Sequence, residues 1–226
     1  MLGGRNSISP SSTKPRRYGQ LQSSHSTMIE TLKILRKAGF YKDLNALTES
    51  EILQVLHQRQ KNSFLEHFNW DHEPNKNLSD KELVIRDHSK VLYLDLEANV
   101  SKENKVYTEL LQEIEEISNK TVLITEIKEY WHSETGPISL TYKLNGQIFS
   151  YQPEYRDDWV DQDFLDKRIL QISKVTGQEF HVCLGPDSEW LGQDICYIRL
   201  TKEERQILES DLNFIFFDTF LKTMRE

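Results

Sequence analysis

Apolar residues recur every three or four positions along the first half of the chain. Ile29, Leu32, Ile34 and Leu35 make such a stripe over Met28–Ala38, and Gly39 follows as a stop. Thr48 and Glu51 have capping-box spacing: the threonine oxygen and the glutamate three residues on satisfy orphan helix amides. Behind them Ile52, Val55, Leu56 and Arg59 share a face, which predicts a helix to about Phe68. Trp70–Asn77, with Pro74, reads as a loop. Ser79 and Glu82 form a second box, for a short helix or turn. Val91–Leu96 alternates weakly and reads as a strand or a helix end. Ser101–Asn119 is the clearest helix: Val106, Leu110, Ile114 and Ile117 align, while Glu109, Glu113, Glu115 and Glu116 load the other sides as a solvated face. Thr121–Ile124 is short and β-prone, and Thr125–His132 reads as a further turn of helix.

The period then changes. Over Ile138–Gln152 apolar and polar residues alternate about Asn145-Gly146, the hairpin dipeptide in which both residues tolerate positive φ. The turn sets the register: Leu144 faces Gln147, Tyr142 faces Phe149, and Leu140 faces Tyr151, with Ser139, Thr141 and Lys143 on the wetter side. Asp157–Thr176 reads as a helix with acids at its start, an inner stripe of Phe164, Leu165, Ile169, Ile172 and Val175, and a cap at Gly177. Phe180–Leu184 and Ile195–Ile198 read as strands, and Thr201 with Glu204 opens a last helix. Segregated helices followed by hairpin-linked strands predict an α+β fold: a helical N-terminal half packed on a small antiparallel sheet that includes the 138–152 hairpin.

Residues 1–27 differ in kind. They hold Arg5, Lys14, Arg16 and Arg17, seven serines and no acid, with little apolar content to offset ordering entropy. They read as a disordered basic arm, either a leader or an overcalled start, ahead of one α+β domain over 28–226. The arm is +4 in a chain whose net charge is -8, so the remainder carries -12. Such a body repels phosphate backbones and argues against nucleic acid as a partner. No apolar stretch is long enough to span a membrane, and two cysteines, Cys183 and Cys196, make no disulfide framework, so a reduced, cytoplasmic setting is expected.

The chain has no Walker loop, no G-x-G-x-x-G, no H-E-x-x-H, no G-x-S-x-G and no C-x-x-C. Three clusters carry residue types suited to chemistry. His67, Asp71, His72 and Glu73 crowd one loop with zinc-type ligands. His181 and Cys183 point the same way on a strand, and Cys196 lies on the strand expected to pair with it, as a zinc site or a nucleophile pair. Asp157, Asp158 and Asp161 share a face of the helix read from Asp157 and could ligate a hard cation, though acids there also stabilise a helix N-terminus. No cofactor is expected. Acids mixed with Trp131, Tyr155 and Trp159 suit a protein-binding face, since such rings anchor interfaces. The reading reached is an acidic cytoplasmic interaction module, with Trp131, Tyr155, Asp157, Asp158, Trp159 and Asp161 as binding residues. Its concrete form is an immunity-type inhibitor occluding a basic toxin or nuclease. A hydrolase-like enzyme with a dispersed or metal-assisted site is the first alternative. A homo-oligomeric structural subunit joined through the apolar tail Leu212–Leu221 is the second.

Overall fold

The computed structural model describes residues 25–67, 78–186, 188–190 and 192–218. The elements run α1 (His25–Lys37), α2 (Glu49–His67), α3 (Asp80–Ile85), β1 (Val91–Asp95), α4 (Val106–Ile117), β2 (Ile124–Trp131), β3 (Ile138–Leu144), β4 (Gln147–Tyr151), α5 (Gln162–Thr176), β5 (Phe180–Pro186), β6 (Asp194–Arg199), α6 (Lys202–Asp211) and β7 (Phe214–Phe216). Helices and antiparallel strands mix as α+β, but the strands divide into two sheets, not one.

The larger sheet has strand order β1-β6-β5-β7, every neighbour antiparallel. Both of its faces are covered, so consecutive residues of one strand enter different cores. Val91, Cys183, Cys196, Ile198, Phe214 and Phe216 pack with Leu32 and Leu35 of α1, Ile52 and Leu56 of α2, Leu83 of α3 and Leu208 of α6. Leu92, Ile195 and Tyr197 pack on the other face with α4, α5 and the second sheet. That second sheet, β2-β3-β4, contains the predicted hairpin in the predicted register, Leu144↔Gln147, Tyr142↔Phe149 and Leu140↔Tyr151. The helices before residue 90 therefore pack on the β1-β6-β5-β7 sheet, and the hairpin packs with α4 and α5 on its far side.

All three capping boxes form. Thr48 with Glu51, Ser79 with Glu82, and Thr201 with Glu204 each exchange backbone and side-chain bonds. Gly39 takes φ 76 after α1, and Gly177 takes φ 69 as the cap of α5. Other expectations change. Residues 25–27, read as part of the basic arm, belong to α1, which starts at His25; residues 1–24 lie outside the described residues. Residues 101–105 form a turn, and α4 begins only at Val106 after Lys105 at φ 49. Thr125–His132 is not helical: residues 125–131 belong to β2, in which Ile124, Ile127 and Trp131 pack inward at uneven spacing across a register shift between Thr125 and Lys128. The tail enters the large sheet as edge strand β7, with Phe214 and Phe216 buried and Phe217 exposed; Phe220 and Leu221 lie outside the described residues.

Candidate functional site

The six residues nominated as a binding face divide by depth. Trp131 is 5% exposed, donates its indole N–H to Glu129 Oε1 at 2.9 Å, and meets Tyr155 edge to face at 5.8 Å. Tyr155 is half-buried. Asp161 is 2% exposed and caps α5: its carboxylate accepts from the N–H of Phe164 (3.4 Å) and of Glu154 (3.0 Å), and its own N–H donates to the Tyr107 hydroxyl (3.1 Å). These three serve the core and a helix end. Asp157, Asp158 and Trp159 are exposed on the turn that precedes α5. The helical face expected for the three aspartates is not formed, because the helix starts at Gln162 and Asp157 takes φ 54.

That turn is fastened to the chain following β1. Val160 N–H donates to Leu96 O (2.8 Å), Val100 N–H to Asp158 O (3.4 Å), and Trp159 bridges Glu97. The segment so held forms one side of a groove, and α4 forms the other. A cavity of about 370 Å³ is lined by Leu94, Ala98, Glu103, Asn104, Glu109 and Glu113, among others. A second of about 230 Å³ continues along β1, lined by Ile85, Arg86, His88, Leu92, Tyr93 and Glu116, and shares Glu113 with the first.

The α4 wall follows from helical spacing. Val106, Leu110, Ile114 and Ile117 turn into the core, so Glu109 and Glu113, four residues apart, stand together beside that stripe. Among the described residues no cation forms an ion pair with Glu103, Glu109 or Glu113. Arg86, on the α3 wall, lies 3.9 Å from Glu82, and Lys120 lies 3.5 Å from Glu116. Glu113 presents an exposed residue surface, but protein packed about its carboxyl, and secondarily the charge of Glu109, raises its pKa. A partly desolvated carboxylate beside a like charge favours an incoming cation, which relieves both effects. The first cavity is thus anionic with an apolar floor, while Arg86 and His88 stand beside Glu113 and Glu116 in the second. The glutamates read as a plain solvated back; their i, i+4 spacing was visible, but the β1 wall that makes them a groove comes from a long-range strand pairing.

The histidine and cysteine clusters are arranged differently. The β5–β6 register, extended one step, sets Cys183 opposite Cys196, and both thiols are free and buried. Burial pushes the Cys183 thiol up to about 12, and the Cys196 thiol well above its ordinary value. His181 Nδ1 lies 3.0 Å from Arg205, and burial, then the Arg205 charge, lowers its pKa. A thiol held protonated beside an imidazole in contact with a guanidinium is not an activated nucleophile. Asp71, His72 and Glu73 lie outside the described residues, and so does the side chain of His67. Among the described residues no three His, Cys, Asp or Glu side chains converge as metal ligands, and no helix is long and apolar enough to cross a membrane. Comparison of the chain with models of protein families, with curated proteins and with solved structures gives no match.

Proposed function

We propose that the protein is an acidic interaction module that engages a basic partner protein through the groove between α4 and β1 and acts by occlusion. The observation that carries this reading is the set of Glu103, Glu109 and Glu113 lining one cavity of about 370 Å³ without ion pairs among the described residues. Isolated like charges at one site favour association with the opposite charge and speed encounter. The exposed turn of Asp157, Asp158 and Trp159 extends the same surface, because its backbone is bonded to residues 96–100. Trp159, 42% exposed, supplies an aromatic anchor beside the acids. In its concrete form the module is an inhibitor that covers the cationic site of a toxin such as a nuclease.

The test is affinity capture from the producing cell with the native chain and with the Glu103→Gln/Glu109→Gln/Glu113→Gln variant. The captured partner is expected to be basic, to be released by salt, and to be absent from the variant, whose thermal unfolding matches the native chain. A partner retained equally by the variant, or one without a basic surface, overturns the reading.

A further inference from the structure

We infer that β1 is a docking edge, on which an extended segment of the partner with alternating basic and apolar residues adds as an antiparallel strand beneath α4. This rests on the proposed role as a module for basic partners and specifies how the groove would be filled.

β1 lies at the edge of the large sheet, with β6 as its single strand neighbour among the described residues. Two bonds fix which of its backbone groups face β6. Arg199 N–H donates to Lys90 O at 2.9 Å at one end, and Leu96 N–H donates to Gln193 O at 3.0 Å at the other. Backbone groups alternate sides along a strand, so Lys90, Leu92, Leu94 and Leu96 face β6, and Val91, Tyr93 and Asp95 face outward. The Val91 N–H is taken by Asp87 O at 2.8 Å. Among the described residues no backbone bond is taken by Val91 C=O, Tyr93 N–H and C=O, or Asp95 N–H, a row that a new strand can pair with. The two cavities run along this edge, between the end of α3 and the acidic side of α4.

The chemistry of the added strand follows from its two faces. Side chains opposite Leu92 and Leu94 lie on the α4 side of the sheet, where Glu109 and Glu113 stand. Side chains opposite Val91 and Tyr93 lie on the other side, toward Ile85. Lysine or arginine belongs at the first set and apolar residues at the second. A second copy of this chain fits poorly, since its own β1 would bring another Glu109 and Glu113 against the first pair. In antiparallel pairing, opposed residues share their hydrogen-bonding state. The amides of the apolar residues therefore point at β1, and those of the basic residues point away.

A capped (Lys-Val)4 peptide titrated into the full chain by calorimetry tests this. Saturable one-to-one binding is expected, weakened by salt and by Glu109→Gln/Glu113→Gln. N-methylation of the valine amides is expected to weaken binding about tenfold or more, through lost backbone bonds. N-methylation of the lysine amides is expected to change it little. If both methylated peptides bind as the parent does while the glutamate variant still loses affinity, strand addition is overturned and the electrostatic module stands. If the glutamate variant binds the parent peptide undiminished, the groove assignment itself falls. A chain that dimerises through this edge, seen in sedimentation as self-association reversed by the peptide, replaces the basic occupant with a second copy and also overturns the proposal.

Discussion

Exchanging Glu204 for glutamine strips the partner from a deeply buried ammonium. Lys90 has a side chain only 3% exposed, with its ammonium 2.8 Å from Glu204 and 5.3 Å from the centre of the Phe40 ring. Burial lowers the Lys90 pKa despite the bond to Glu204. Burial works to raise the Glu204 pKa, but the bonds from Lys90 and from the Thr201 N–H outweigh it and hold the carboxyl below its usual range. A buried ion pair taken as a whole is close to neutral against apolar residues of similar volume. Removing one member is a different matter. Glutamine can keep the α6 capping box, since that motif accepts Glu or Gln, and it abolishes only the charge. The bare ammonium then costs about 3–5 kcal/mol. A ceiling exists, because the lysine can shed its proton: from an ordinary pKa of ~10.4 down to pH 7 this costs about 4.6 kcal/mol. Urea unfolding at pH 7 measures the loss. The Lys90→Met/Glu204→Gln pair is expected to recover most of it, as apolar replacement of a buried ion pair is near neutral. Depression of the Lys90 pKa in the folded state means that the unfolded chain binds the proton more tightly. The single variant therefore gains stability as pH climbs toward ~10.4. A loss below about 1 kcal/mol, the range of an exposed pair, with no rescue by Lys90→Met, would refute the argument.

Other perturbations have equally definite outcomes. Gly39→Ala places a Cβ 2.0 Å from Glu204 Oε1 at a residue with φ 76, and is expected to lower the melting temperature by disturbing the same pair. The thiols of Cys183 and Cys196 are expected to resist a thiol-titrating disulfide reagent in the native state and to react in full on unfolding, because burial keeps them protonated. Fast reaction before unfolding would contradict their placement. Glu113→Gln is expected to leave stability unchanged or slightly raised. Its carboxyl pKa is raised in the folded state, so the ionised form is disfavoured by folding above the ordinary carboxyl range, and glutamine removes that penalty. Thermal melts at neutral and acidic pH check the sign. Trp159→Ala is expected to leave the melt alone while weakening capture of a basic partner, since the ring is exposed.

Much of the fold was legible because it is written locally. Capping boxes, the Asn145-Gly146 turn and the apolar stripe of α4 each depend on residues within a few positions, and each formed where local chemistry put it. What failed to read was long-range or two-sided. Residues 125–131 mix glutamate, lysine and isoleucine without clean alternation, because Glu126, at φ 52, shifts the register in the middle of the strand. The division into two sheets was hidden because β1 is buried on both faces: Val91 and Leu92 serve different cores, so only a weak alternation appears. The aspartates before α5 look alike in sequence. Only Asp161 occupies the cap, and Asp157 and Asp158 remain on the surface turn. The groove glutamates carried no warning, since an exposed helix face looks the same whether solvent or an open strand edge lies beside it.

Hydrogen exchange at single amides of β1, with and without (Lys-Val)4, tests the central claim most directly. The free chain is expected to protect Leu92 and Leu94 and to leave Tyr93 fast, and saturating peptide is expected to slow Tyr93. A Tyr93 amide that stays fast in the saturated complex, or one already slow without peptide, contradicts a receptive edge at β1.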